Sequence, residues 1–432
     1  MAVHLEGTAD YRRRVVDGEL DELMTGIAAI AIEGPRAVGK TQTCLQRANT
    51  TYRLDDPNAR SIIVADPGRV AVGAPPILVD EWQRLPETWD VVRRAVDRDR
   101  TPGQFLLAGS ATPRNPPTHS GAGRIVSVRM RPMTLAERGV AIPSVSLRSL
   151  LGGGRPVIEG TTDVTAEGYA HEILASGLPG LRGLEDRVIR AQLDGYIERV
   201  VDRDFEELGG EQVRNVPALR RWLQAYASAV STTASYETIR DAATAGNSEK
   251  PAKTTALRYL DVLERLWLIE PIPAWLPTRS AFGRLGQAPK HQLSDPALTA
   301  RLRGATVATL LEGTPAGPAA PRDATLFGAL FESQVALDLR TYAQTIEARV
   351  GHFRTRDGDH EVDFVVERAD QRIVAVEVKL ARTIGDDDVK HLIWLRNRLG
   401  DDLLDAVVIS TGPNAYRRRD GVAVVPAALL GV

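Results

Sequence analysis

The sequence predicts a multidomain α/β protein, and three observations carry that prediction. Short unbroken apolar runs alternate with helical stretches over roughly the first 150 residues. A breaker cluster of Gly152, Gly153, Gly154 and Pro156 closes that region, and a second alternation of helices and strands begins near residue 326. An apolar run without polar alternation fits a strand buried on both faces of a parallel sheet. Strands alternating with helices build an open α/β domain.

Residues 11–23 carry Val15, Val16, Leu20 and Leu23 among charges, which predicts a short surface helix. The run at 26–32 reads as a buried strand, as do 61–65, 77–79 and 105–108, with a helix over 89–97. From 165 to about 208 the pattern is helical, interrupted at 177–180. Three helices follow at 218–231, 236–245 and 254–268, with Gly246 and Asn247 in a turn and 269–275 as a short strand or wing. That is a helix-turn-helix or winged-helix pattern. After a Gly/Pro/Ala-rich connection at 313–324 come a helix at 326–342, strands at 361–366 and 372–379, a helix at 387–398, and strands at 406–410 and 422–425. The expected units are 1–155, 156–215 (a helical connector), 216–280 (winged-helix-like) and 281–432.

The 432 residues are 43% hydrophobic and 25% charged, ordinary for a chain that buries real cores. A net charge of −2 excludes a polycation, so contact with DNA must rest on a local basic patch. The single cysteine, Cys44, excludes an internal disulfide framework and a Cys-based zinc finger, and reads as core packing. No apolar run reaches the ~18 residues of a membrane helix, and residues 1–14 lack a secretory apolar segment. The expectation is a soluble, cytoplasmic protein without a membrane partner. Only six lysines stand against 48 arginines. Each lysine therefore carries weight, because a compact point charge is what arginine cannot supply.

Gly34, Pro35, Arg36, Ala37, Val38, Gly39, Lys40 and Thr41 fit G-x-x-x-x-G-K-[ST] directly after a predicted strand, and Gln42 onward continues as a helix. This strand–loop–helix context makes the pattern a P-loop. Its backbone N–H groups face the β-phosphate of ATP. Lys40 neutralises the β- and γ-phosphates, and Thr41 offers its hydroxyl to Mg2+. Downstream, Asp80 ends a buried strand and is placed to hold Mg2+ as a Walker-B acid does, and Glu81 to polarise the attacking water. A third strand ends at Ser110. In the additional-strand class of P-loop ATPases that strand lies between the other two, and its polar end, here Ser110 with Thr112 second, senses the γ-phosphate.

Tyr11-Arg12 with Asp17, the loop at 32–41, Val79-Asp80-Glu81-Trp82-Gln83, Leu107-Ala108-Gly109-Ser110, and His119 to Arg124 followed by Met130-Arg131-Pro132-Met133 resemble the N-terminal domain of certain prokaryotic AAA-type ATPases. Those proteins carry a C-terminal domain of unknown function related to restriction endonucleases. The resemblance resumes at Ala288-Pro289-Lys290 with Asp295, and runs through Gly328–Glu332 to the C-terminus. It implies that Arg124 is an arginine finger acting on a neighbouring subunit of a homo-oligomer. The residues alone equally allow a simple loop arginine.

In the C-terminal unit, Asp363 precedes Glu377 by fourteen residues, and Lys379 follows two later. Residues two apart on a strand share a face. Glu377 and Lys379 therefore point together, while Val374, Val376, Val378 and Leu380 face the core. The pattern resembles the PD-(D/E)xK nuclease core, in which Asp363 and Glu377 bind Mg2+ or Mn2+ and Lys379 orients water. Glu332 matches that fold's auxiliary acid. Two readings stand: an ATPase coupled to a nuclease acting on DNA, and a nucleotide-dependent switch whose C-terminal domain binds DNA or protein without cutting. Lys250, Lys253 and Arg258 are a thin candidate groove contact. The triplet Arg417, Arg418 and Arg419 beside Tyr416 is either a backbone-tracking patch or a solvated turn. His119, His352, His360 and His391 show no zinc spacing.

Overall fold

The computed structural model describes residues 11–110, 121–205, 215–244, 251–276, 288–312, 324–355 and 357–432. Thr112, His119 and Lys250 lie outside them. Five strands form the N-terminal sheet: β1 (Ala29–Glu33), β2 (Thr50–Arg53), β3 (Ile77–Asp80), β4 (Phe105–Gly109) and β5 (Ile125–Arg129). All pairings are parallel, in the order β2-β3-β4-β1-β5. Thus β4 lies between β1 and β3, as the additional-strand reading expects. Alternate residues feed the two faces. Ala29, Ala31, Val79 and Leu107 meet Trp89 and Val92 of helix Glu87–Arg98. Ile30, Ile32, Leu78 and Leu106 join Leu20 and the central helices. Burial on both faces is why β1, β3 and β4 read as unbroken apolar runs.

The expected strand at 61–65 is instead the end of a helix, Pro57–Ala65. The carboxylate of Asp56 accepts from the Asn58 N–H, and Pro57 occupies the first turn, a strong helix start. Ile63 alone points inward, while Ile62 and Val64 are 52% and 58% exposed. The strand beside β3 is β2, an edge strand whose half-buried threonines carry no apolar run. The opposite edge, β5, was hidden in the same way by its mixed burial.

Helices Val216–Ser228, Tyr236–Ala242 and Lys253–Arg265 stand within a few residues of expectation. The Ser235 hydroxyl caps the second of these. The stretch after them makes isolated bridges, Ile269 to Leu293, Ile272 to Lys290 and Ala274 to His352. It thereby joins the helical middle to the C-terminal unit.

Two short strands, β6 (Val145–Ser146) and β7 (Gly160–Thr161), precede the middle helices. After the middle helices come β8 (Arg349–Arg354), β9 (Glu361–Glu367), β10 (Ile373–Lys379), β11 (Leu403–Ser410), β12 (Asn414–Arg417), β13 (Ala423–Pro426) and β14 (Leu430–Gly431). The large sheet runs β7-β12-β13-β11-β10-β9-β8, with β10, β11 and β13 parallel and the other pairings antiparallel. The small strand β14 pairs with β6. The stretch flanking the Gly152–Gly154 cluster is thus woven into C-terminal strands. Helix Ala324–Gln344 covers one face through Phe331, Val335 and Leu339, meeting Val374 and Val376. Helix Lys390–Leu399 covers the other through Leu392 and Leu395, against Val365 and Ala375. No described helix is long and apolar enough to cross a membrane.

Candidate functional site: a nucleotide cleft and an acidic cluster

The P-loop turns at the carboxyl end of β1. Gly34 leaves no room for a side chain, because a Cβ there would lie 2.1 Å from the Met130 carbonyl oxygen. Gly39 has φ +104°, a conformation that side chains resist, and immediately precedes the helix Lys40–Leu45. The Lys40 ammonium is buried and donates to the carbonyls of Gly34 (2.9 Å) and Pro35 (2.7 Å). Burial lowers it to about 8, against the pull of Glu81 and Asp80. The Thr41 hydroxyl donates to Asp80 Oδ1 at 2.9 Å. Burial lifts the Asp80 carboxyl to about 6, with the Thr41 bond opposing and the Glu81 charge adding. A hydroxyl and a carboxylate side by side are the hard oxygen donors that Mg2+ prefers, so these residues fit the ion.

Glu81 takes a left-handed backbone (φ +55°) just beyond β3, uncommon for a residue with a side chain. Ser110, at the end of β4, donates its hydroxyl to Glu81 Oε1 at 3.1 Å, and Gln83 donates to Oε2. Adjacent parallel strands thus deliver Asp80, Glu81 and Ser110 to one edge with Lys40 and Thr41. Of the other P-loop residues, Ala37 takes a left-handed backbone (φ +63°), Val38 is buried in the core, and Gln42 lies in the helix Lys40–Leu45. Arg36 leaves it to pair with Asp204 at 2.8 Å, in a π-helical turn of the middle region. Cys44 is fully buried core. Arg124 is exposed and donates to Asp97 (2.8 Å) and the Ala122 carbonyl of its own chain, neither of which belongs to this cluster.

Sequence reasoning gave Arg14 no role. It is buried, pairs with Glu137 at 2.9 Å, and donates to the carbonyls of Val38 and Arg131, both at 2.8 Å. Beside it a cavity of about 520 Å3 is lined by Tyr11, Gly39, Gln42, Thr43, Pro179 and Arg182.

In the C-terminal unit Asp363 and Glu377 lie on neighbouring strands, and Glu332 reaches them from the long helix. Glu377 is buried and accepts from Lys379 at 2.9 Å. Asp363 Oδ2 accepts from the Val378 N–H at 2.9 Å. Its other oxygen faces a residue assigned no role, Lys290, whose ammonium lies 3.2 Å from Asp363 Oδ1 and 2.8 Å from Glu332 Oε1. Burial works to raise Asp363, but Lys290, the Val378 N–H and Lys379 hold it low. Burial and the Asp363 charge push Glu332 up to about 8 and Glu377 well upward. The signal that could have found Lys290 was its rarity among arginines. Arg417 and Arg418 are engaged internally: the first with Asp405 and the Pro156 carbonyl, the second with Asp386 and Asp420.

Family comparison matches three segments of the chain. Residues 27–138 match an AAA domain, while 166–309 and 327–430 match two domains of unknown function, DUF8612 and DUF4143. The parallel sheet with its P-loop and the AAA-domain match over residues 27–138 together support a P-loop ATPase class for the N-terminal unit. Two mycobacterial relatives, the uncharacterized proteins Mb2031c of Mycobacterium bovis and Rv2008c of Mycobacterium tuberculosis, are each 26% identical, over 96% of this chain and 83% of theirs. Among solved structures, the Walker-type ATPase PABY2304 of Pyrococcus abyssi aligns at 15% identity and TM-score 0.41, over 68% of this chain and 97% of that one. Thermotoga maritima RuvB, a Holliday junction branch migration motor, aligns at 13% identity and TM-score 0.27, over 63% and 94%. Both likenesses are loose.

Proposed function

We propose that the chain is a Mg2+-dependent ATPase whose nucleotide state is passed to a nuclease-like C-terminal domain that engages DNA. The observation that carries the ATPase reading is the meeting of Lys40, Thr41, Asp80, Glu81 and Ser110 at one sheet edge. Lys40 neutralises the β- and γ-phosphates, and Glu81 holds and polarises water for in-line attack. Ser110, bonded to Glu81, reports the γ-phosphate to that carboxylate. Thr41 and Asp80 would hold Mg2+, which supplies charge neutralisation at the phosphate oxygens. The cavity beside Gly39 and Thr43 takes the base and ribose. A role for Arg124 on a neighbouring subunit's ATP requires a homo-oligomer in which it leaves Asp97.

For the C-terminal domain, cutting DNA with Mg2+ or Mn2+ and binding DNA or protein without cutting are distinct readings. The ammonium already seated between Asp363 and Glu332 favours the second. Two assays test the proposal: ATP turnover against Lys40→Ala, and plasmid cleavage and DNA binding with and without ATP against Lys379→Ala. ATP turnover unchanged by Lys40→Ala sinks the first part, and no nucleotide-dependent DNA binding sinks the second.

A further inference from the structure

The acids that a PD-(D/E)xK core offers to a metal are already engaged here. Asp363 spends one oxygen on the Val378 N–H and turns the other to Lys290. Glu377 accepts from Lys379, and Glu332 accepts from Lys290. Lys290 is 1% exposed, and its ammonium also lies 3.7 Å from Glu361 and 5.3 Å from the Phe364 ring centroid. Among the described residues, no group of three or more His, Cys, Asp or Glu side chains is arranged to hold a metal ion. The residues present therefore do not fit the divalent ion that the resemblance implies.

We infer that Lys290 is the resident cation of this cluster, its ammonium standing where the nuclease pattern would place a divalent metal. The chemistry agrees. A buried ammonium offers three donors, and the Glu332 carboxylate, the Asp363 carboxylate and the Asp363 main-chain carbonyl all lie within 3.4 Å of it. Buried carboxylates gathered so closely repel one another unless a cation sits among them. A protein cation meets that need at any metal concentration.

Lys290 is also held from outside the sheet. Its backbone exchanges two hydrogen bonds with Ile272, both 2.9 Å, and the next residue, His291, does the same with Ser231 and Thr232 of the helical middle. The cation is therefore delivered by the segment that joins the middle helices to the C-terminal sheet. The acid cluster becomes a docking point between them. This inference rests on the reading of the C-terminal domain as a binding module, and it makes a claim about metal alone, separate from whether DNA binds.

The test is Mn2+ binding to the nucleotide-free full chain, followed by electron paramagnetic resonance. An Asp80→Asn background silences the P-loop carboxylate. The expected result is no Mn2+ uptake that Asp363→Asn removes, whereas Lys290→Met gains one tightly held Mn2+ per chain that Asp363→Asn abolishes. Uptake by the Lys290-containing protein that Asp363→Asn abolishes overturns the inference. So does a folded Lys290→Met protein that gains no Mn2+. If Lys290→Met fails to fold without metal, recovery of its circular dichroism in Mn2+ supports the inference. In the absence of recovery, the Lys290-containing titration decides by itself. DNA binding, measured in parallel by fluorescence anisotropy, reports separately on the binding-module reading.

Discussion

Arg131 forks onto Glu270, with Nη2 2.6 Å and Nε 3.0 Å from Oε1. Arg131 follows β5 of the nucleotide-binding sheet, and Glu270 lies in the stretch that bridges to the C-terminal unit. Arg340, from the long helix against the C-terminal sheet, donates to the Glu270 carbonyl and lies 3.6 Å from its carboxylate. Arg14 bonds both the P-loop carbonyl of Val38 and the Arg131 carbonyl. A continuous set of short contacts therefore joins the phosphate loop to the C-terminal helix.

Removing the centre of that junction is costly. Burial works to raise the Glu270 carboxyl, but Arg131, Arg340 and Arg129 together hold it far below the usual range. Glu270→Ala leaves the buried Arg340 and the partly buried Arg129 and Arg131 without this counter-charge, and is expected to lose about 3–5 kcal/mol in urea unfolding. The sign for pH follows. The stabilisation is full above the unfolded value near ~4.3 and declines as the pH falls below it. The difference between wild type and Glu270→Gln should therefore shrink in acid.

Asp80 is the opposite case. Its folded value, about 6, stands above the unfolded ~3.9, so the native state binds the extra proton. The cost is complete above about pH 6 and is relieved as the pH falls toward 4. Asp80→Asn should raise the stability of the nucleotide-free protein by roughly 2–3 kcal/mol at pH 8, and by roughly half as much at pH 5. It should also abolish ATP turnover. Thermal melts at both pH values check this.

Glu81 and Ser110 touch each other and differ in task. Glu81→Gln is expected to lower kcat by about 100-fold or more while ATP still binds. Ser110→Ala should lower kcat about tenfold with KM little changed, because only the orientation of Glu81 is lost. Steady-state kinetics and nucleotide-binding titrations separate the two effects.

Gly34→Ala pushes a methyl group into the Met130 carbonyl oxygen. The loop or the end of β5 must shift, so a loss of about 1–3 kcal/mol is expected. ATP affinity should fall with it. Gly123→Ala is the control. Its Cβ would meet nothing within 4 Å, although its φ of +73° adds a backbone cost of its own.

If Arg124 acts across a subunit boundary, Arg124→Ala lowers turnover at concentrations where the chain self-associates and leaves ATP affinity intact. Asp97→Ala, which frees Arg124 from its surface pair, should not lower it. Turnover measured against protein concentration, with sedimentation velocity, distinguishes a finger from a loop arginine.

The P-loop was legible because its pattern is local. The glycine spacing, Lys40 and Thr41 form one short loop, and Asp80 and Ser110 sit at the ends of apolar runs that announce buried parallel strands. The same logic failed at 61–65. A helix with one inward isoleucine there imitated a strand, while the true edge strand β2 exposes its polar face to water and so carries no run. In the C-terminal unit, the order of Asp363, Glu377 and Lys379 along two strands was enough to place them together, since register and pleat follow from the chain itself. What only the tertiary structure decided is which cation those acids meet. Lys290 arrives from 73 residues upstream of Asp363, on a segment positioned by the middle helices. No sequence period relates it to β9 or β10; packing alone brings its charge to theirs.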